Sequence, residues 1–311
     1  MKTRYFFLLA SITGILAASC AKELNVAEEE IIETPAGQTV LTIGLPDQNK
    51  TQMGDGGLVY WSNGDQLSLN GTASAELADL PANSRTATFT WSGIINTPYK
   101  LLYPASIYKD ASHITLPAVQ SYRAGGFAEK MFPMAGYSAD GSSINVNHLC
   151  ALVKISIKRE TESEAEARGA EVDTDNIACV RFRGKNSEKV SGEFEIDYTT
   201  PALADADGTG TDLEVRVAKS LATSTSTVKE YYLVVPAREY TNGFEVVVQD
   251  VNNHIMTKGT TSAKTLEAGH LYAMKEFAFA PTETELGIEI SSDEELVTIS
   301  WLPRASYSLL L

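Results

Sequence analysis

Apolar side chains in this chain recur at every second residue, in short runs closed by Gly, Asn, Asp or Pro, and that pattern admits sheets and little else. Thr39-Val40-Leu41-Thr42-Ile43 is such a run. Gln66-Leu67-Ser68-Leu69 follows the turn Ser62-Asn63-Gly64-Asp65, and Thr86–Trp91 alternates again. Tyr99–Tyr103 stops at Pro104, Ser143–Val146 leads towards Cys150, and Val153–Ile157 reads as a half-buried strand. The next stretch is charged, with Glu160, Glu162, Glu164, Glu166, Glu171, Asp173 and Asp175 between Arg159 and Ile177. Within it Glu162–Ala167 has the composition for one helical turn, but an exposed loop between strands is the expectation. Strands are expected again at Ile177–Arg183, Gly192–Ile196, Leu213–Val217, Glu230–Val235, Phe244–Val248 and His254–Lys258. Pro236 closes one of these and Asn242-Gly243 turns into the next. No long stretch sustains a 3.6-residue apolar period, so helices should be few and short. The expected fold class is all-β: two tandem β-sandwiches over residues 38–150 and 151–281, with one strand handing over between them near residues 148–158.

The N-terminus reads as an address. Lys2 and Arg4 precede an apolar stretch from Tyr5 to Leu16, too short to span a bilayer comfortably. Ala17-Ala18-Ser19-Cys20 then resembles a bacterial lipobox, in which the peptide is cut before the cysteine and the cysteine carries the lipid. Residues 1–19 are therefore expected to be a signal peptide and Cys20 the lipid attachment site. Acyl chains there would hold the chain to the outer membrane at roughly 0.8 kcal/mol per buried CH₂. The usual Leu three places before the cysteine is replaced by Ala17, with Leu16 one step earlier. The alternative is an ordinary signal peptide cut after Ser19. Residues 20–37 carry Glu28-Glu29-Glu30 and Glu33 and no aromatic residue, a composition that cannot fold alone and suits a tether. Its acidic residues fit either a solvated linker or a signal for display on the outer face.

Charge removes some partners. The chain holds 25 basic and 40 acidic residues, a net of −15, and loss of Lys2 and Arg4 with the signal leaves two positive charges fewer, −17. Nucleic acid and anionic lipid surfaces would repel it. A hydrophobic content of 43% is enough for real cores. Cys150 and Cys179 both lie in apolar runs, where a disulfide and two buried free thiols are both admissible.

Catalytic and metal patterns are thin, and neither enzymatic activity nor a cofactor is expected. His113, His148, His254 and His270 stand at no metal-ligand spacing from one another, and no two cysteines are two or three residues apart. His148, beside apolar residues, reads as a core histidine with its hydrogen bonds satisfied. There is no G-x-S-x-G elbow, and Gly54-Asp55-Gly56-Gly57 lacks the Lys-Ser/Thr ending of a phosphate loop. Asp205, Asp207 and Asp212, interleaved with Gly208 and Gly210, have alternate oxygen side chains of the kind that bind calcium, but lack the distal Glu; a solvated turn fits equally simply. Tyr99, Tyr103, Tyr108 and Tyr122, with Gly125-Gly126-Phe127, could line a carbohydrate face or fill a core.

Five segments, in order, carry a resemblance. Val59-Tyr60-Trp61-Ser62-Asn63-Gly64-Asp65-Gln66-Leu67 resembles the W-x-x-G-D strand and turn of fimbrillin-like proteins. Leu116–Tyr122 is similar to their P-x-x-Q-x-Y segment, Phe132–Tyr137 to the P-M-A segment, and Asn147–Val153 to the H-L-x-A-L-V strand. Leu266–Tyr272 is similar to the closing A-G-x-x-Y strand. The resemblance implies a surface lipoprotein of the pilin type, built of two transthyretin-like sandwiches. Other pilin-like subunits would be its partners by strand addition, and a host or bacterial surface receptor its target. It further implies that a protease removes the tether and first strand, so that a neighbour's strand can enter the groove.

Polymerising members of that family usually offer an Arg soon after the first strand. No Arg stands between Cys20 and Arg85; Lys50 and Arg85 are the candidate processing residues. An uncut chain would suit a pilus anchor, a tip subunit or a stand-alone surface lipoprotein. Residues 282–311 form an apolar-ended tail, either a donor strand for a neighbour or the start of a truncated further module. A surface glycan-binding lipoprotein is the alternative to the pilus reading.

Overall fold

The computed structural model describes residues 37–46, 59–206, 211–212, 215–281, 283–284, 288–293 and 296–301. Cys20, Lys50 and Asp207 lie outside the described residues. The protein is all-β with multiple sheets.

Five strands come first: β1 (Gln38–Gly44), β2 (Ser68–Leu69), β3 (Thr72–Ala73), β4 (Thr86–Ser92) and β5 (Tyr99–Tyr103). The period of two shows most plainly in β4, where Ala87, Phe89 and Trp91 are buried and Thr86 and Thr88 are exposed. β1 and β4 form a two-stranded antiparallel sheet. Ile43, Trp61, Leu67, Leu69, Phe89, Trp91, Leu101 and Tyr103 belong to a first core. The strand expected over Gln66–Leu69 shrinks to β2 because side chains take over the ladder. Gln66 Nε2 donates to the Ser74 carbonyl (2.8 Å), and Ser74 Oγ accepts from the Leu67 N–H (3.1 Å).

The next strands are β6 (His113–Leu116), β7 (Val119–Gln120), β8 (Tyr122–Arg123), β9 (Gly126–Phe127), β10 (Met134–Ser138), β11 (Val146–His148) and β12 (Cys150–Arg159). β10 and β11 extend the sheet to the order β11-β10-β5-β2-β3. This sheet is a wall between cores. Leu101, Tyr103 and Met134 serve the first, whereas Leu102 and Ala135 join Phe132, Leu149 and Leu152 in a second. β12 is also two-sided. Cys150 and Leu152 enter the second core, while Ala151, Val153, Ile155 and Ile157 enter a third. Burial on both faces explains why Cys-Ala-Leu-Val runs apolar without alternation. Cys150 and Cys179 are both buried thiols not joined in a disulfide, and Cys179 Sγ donates to Gln249 Oε1 (3.3 Å).

Where a loop was expected, Glu162–Ala167 is a helix, α1. Thr161 caps it: its Oγ1 accepts from the Glu164 N–H, and Glu164 Oε2 accepts from the Thr161 N–H (2.8 Å), a reciprocal capping box. These bonds hold the Glu164 carboxyl below its ordinary range.

The remaining strands are β13 (Ile177–Gly184), β14 (Ser191–Asp197), β15 (Ala202–Asp205), β16 (Thr211–Asp212), β17 (Val215–Leu221), β18 (Lys229–Pro236), β19 (Arg238–Tyr240), β20 (Phe244–Asp250), β21 (His254–Gly259), β22 (Lys264–Leu266), β23 (Leu271–Ala273), β24 (Phe277–Phe279), β25 (Glu283–Thr284), β26 (Ile288–Asp293) and β27 (Leu296–Trp301). β18 pairs with β12 antiparallel, while β23 and β24 pair with it parallel. A six-stranded sheet, β25-β21-β20-β13-β17-β7, closes the third core with Phe182, Val217, Phe244, Val246 and Val248. β6 pairs with β14, and β7 pairs parallel to β17, so residues 113–120 are built into sheets with residues 191–221. In the tail, β26 and β27 pair with each other as an antiparallel hairpin.

Gln120, of the P-x-x-Q-x-Y segment, joins the second and third parts of the fold. It is 5% exposed, its Nε2 donates to the Val234 carbonyl (2.6 Å), and its Oε1 accepts from the Val234 N–H (2.9 Å). Its side chain meets the Val234 main chain as a paired strand residue would. Gln120→Leu strips the partners from both the N–H and the carbonyl of Val234, and a loss of about 2–3 kcal/mol is expected in urea denaturation.

Candidate functional site

Among the described residues, β1 pairs with β4 alone, across seven residue pairs from Gln38↔Ser92 to Gly44↔Thr86. Its alternate side chains face the core. Thr39 and Ile43 are buried, Leu41 packs against the first core, and Leu45 just beyond the strand is buried. Opposite them stand Trp91, Phe89 and Ala87. Thr42 Oγ1 meets Thr88 Oγ1 at 2.9 Å on the exposed face. Beside β4, a cavity of about 410 Å³ is lined by Leu77, Leu80, Thr86, Thr88 and Thr90.

Three side-chain clamps fix the strand along its length. At one end Thr39 Oγ1 donates to the Gly93 carbonyl (3.1 Å) and accepts from the Ile95 N–H (2.8 Å). In the middle the Trp61 indole N–H donates to the Ile43 carbonyl (3.1 Å). At the other end the Arg85 guanidinium donates to the Pro46 carbonyl (2.8 Å), and the Arg85 carbonyl accepts from the Leu45 N–H (2.8 Å).

The W-x-x-G-D turn positions the middle clamp. Gly64 sits at φ +83°, a conformation that favours glycine. Asp65, 2% exposed, accepts from the Ser62 N–H (2.7 Å) and from the Tyr103 hydroxyl (2.8 Å). Burial raises the Asp65 carboxyl, and burial beside that carboxylate pushes the Tyr103 phenol up as well. Trp61 meets Phe89 edge-on at 5.0 Å and Tyr103 at 5.2 Å, so its ring is fixed before its N–H reaches β1. The sequence marked this segment as a turn before an alternating run and by resemblance. Its hold on β1 is visible only once Trp61 and Ile43 are adjacent.

The other singled-out residues are placed as follows. Arg85 is half-buried at the entrance to β4. Asp205 is ion-paired with Arg238, whose Nη2 lies 3.3 Å from Oδ2, and Asp212 lies in β16. The four tyrosines are dispersed: Tyr99 and Tyr103 belong with the first core, Tyr108 with the second, and Tyr122 packs on Tyr231 in the third (5.6 Å). His148 is buried in the core as expected, but neither ring nitrogen has a hydrogen-bond partner. The histidine that sequence spacing passed over is His254, which folding brings to Asp173, Asp175 and Asp250.

No family model matches this chain, and no curated protein matches it. Solved structures with distant likeness exist. A candidate cell adhesion protein from Bacteroides ovatus is 9% identical with a TM-score of 0.38, over 78% of this chain and 87% of that one. A candidate cell adhesion protein from Bacteroides fragilis is 11% identical with a TM-score of 0.38, over 86% and 96%. A fimbrial protein from Bacteroides ovatus is 13% identical with a TM-score of 0.28; the match covers 78% of this chain and 49% of that one.

Proposed function

We propose that this chain is a non-enzymatic cell-surface protein of the adhesion or pilus type, anchored to the outer membrane through Cys20, which joins a neighbouring subunit by β-strand addition. The observation that carries the reading is that, among the described residues, β1 pairs with β4 alone and sets alternate side chains into the first core. Removing β1 would open one edge of β4 and uncover Phe89 and Trp91. An incoming strand would regain main-chain bonds and bury its own apolar residues, at about 1.5–3 kcal/mol each. β1 directly follows the tether and precedes Lys50, so one cut after Lys50 would separate strand and lipid together from the remaining chain. The ordered segments from Val59 to Tyr272 support the same reading.

The test is limited proteolysis of the purified full-length protein with a trypsin-like protease. The expected result is cleavage after Lys50, release of the N-terminal fragment, and growth of oligomers by light scattering. Excess synthetic peptide of residues 37–46 should stop that growth, and Lys50→Ala should remain uncut and monomeric. A chain cut at Lys50 that sheds its fragment and stays monomeric would refute strand addition. Retention of Cys20→Ala in the outer-membrane fraction would refute the anchor.

A further inference from the structure

The turn between β20 and β21 carries a cluster that strand addition does not use. Asp250 ends β20 and His254 opens β21, and the connection preceding β13 brings Asp173 and Asp175 against them. One ligand atom from each of the four residues lies within 4.8 Å of the others. The Asp250 side chain is 0% exposed and that of Asp173 is 8% exposed, so two carboxylates face each other out of water. Asp250 Oδ1 accepts from the N–H groups of Asn252 and His254, both at 2.8 Å, and Asp173 Oδ1 accepts from the Asp175 N–H (2.8 Å). Backbone donors thus occupy one oxygen of each carboxylate and leave the other turned inward.

Those inward oxygens are under-served. His254 Nδ1 is 2.7 Å from Asp250 Oδ2 and 3.3 Å from Asp173 Oδ2. One ring nitrogen carries one hydrogen, and the two inward oxygens share it. Asp173 Oδ2 takes the longer of the two contacts and stands beside a second carboxylate, an arrangement that burial makes costly. The Asp173 carboxyl is raised by burial and by the facing Asp250, and His254 is raised by its carboxylate neighbours despite burial. Asp175 completes the ring, with Oδ2 accepting from the Asn252 side-chain amide.

We propose that Asp173, Asp175, Asp250 and His254 bind one divalent transition-metal ion of the Mn²⁺ or Zn²⁺ type, which staples the 173–175 connection to the β20–β21 turn. Three carboxylates and an imidazole suit such an ion better than Ca²⁺, which takes oxygen ligands, or Cu⁺, which takes sulfur. Neutral His254 would coordinate through Nδ1 and carry its proton on Nε2, and the cation would replace the shared hydrogen as the partner of both buried carboxylates. Nothing in this site depends on β1, so the site and the strand-addition reading stand or fall separately.

The test is titration of the metal-stripped, full-length protein with MnCl₂ and ZnCl₂, with CaCl₂ for comparison. One Mn²⁺ or Zn²⁺ per chain is expected. At a hundredfold excess over Kd the melting temperature should rise by roughly 5 °C. Affinity should fall about tenfold or more between pH 7.5 and 5.5 as His254 protonates. Asp173→Asn and His254→Gln should abolish binding, whereas Asp205→Asn should leave it intact. Binding that survives in folded Asp173→Asn and His254→Gln overturns the proposal, as does the absence of stoichiometric binding. Wild-type protein decides the matter even if those variants do not fold. Pulsed paramagnetic resonance of bound Mn²⁺ should show coupling to one imidazole nitrogen, and no nitrogen coupling would place the ion elsewhere.

Discussion

Trp61→Ala is expected to lower stability by about 3–5 kcal/mol, in the range for truncating a buried aromatic side chain. Trp61 is 3% exposed, and its ring fills the angle between Phe89 and Tyr103, so deletion leaves a cavity lined by both. The same change removes the indole N–H from the Ile43 carbonyl. Trp61→Phe separates the two effects: it keeps most of the ring and loses the N–H, and a smaller loss of about 1–2 kcal/mol is expected. Urea denaturation measures both totals, and hydrogen exchange locates them. In Trp61→Phe the amides of Leu41, Ile43 and Leu45 should lose protection while those of Val153 and Ile155 in β12 keep theirs, because local opening of β1 needs only β4 and its clamps to release. Equal loss of protection in β1 and β12 would mean that the indole stabilises the whole fold and does not specifically hold β1.

How much of this was legible beforehand follows from how local each feature is. The β1 and β4 strands show their alternation because each has one buried and one open face. β12 hides its nature, since the apolar run from Cys150 to Val153 serves two cores and has no polar face to mark its period. At Glu162–Ala167 a loop outweighs a helical turn in the sequence, although Thr161 and Glu164 form a capping box, because six residues are too few to establish a helical period. The strand at Gln66–Leu69 was overestimated because Ser74, whose hydroxyl shortens it, follows the turn. Gln120 carried no signal of its bond to Val234, and Asp173 carried none of its approach to His254. Both contacts join segments far apart in sequence, and only the closed fold brings them together.

His148 should make the protein acid-labile between pH 6.5 and about 3. The side chain is 5% exposed and stacked on Phe132 at 4.0 Å with the rings 20° from parallel, and neither nitrogen finds a partner. Gly269 lies against the ring, where a Cβ would come to 3.1 Å of Cδ2. Burial, with a smaller contribution from the Arg85 charge, pushes its pKa down from 6.5 to about 3. The unfolded chain therefore takes up a proton on this residue near pH 6.5, and the folded chain does not until far lower. Stability from this group is fully present above pH 6.5 and is lost as pH falls through that value, at about 1.4 kcal/mol per unit, on the order of 2–3 kcal/mol by pH 4.5. His254 contributes with the opposite sign. Its folded pKa is raised, so its share is present in acid and is lost as pH rises through the raised value. His148→Phe isolates the first effect, because the variant keeps His254 and every carboxylate. At pH 7.5 it should match or exceed the wild type, since it removes two orphaned nitrogens from a stacked, apolar site. At pH 4.5 its urea midpoint should lie well above that of the wild type. Parallel losses in the two proteins between those pH values would show that His148 accepts its proton in the folded chain, which requires the Phe132 stack to open in mild acid.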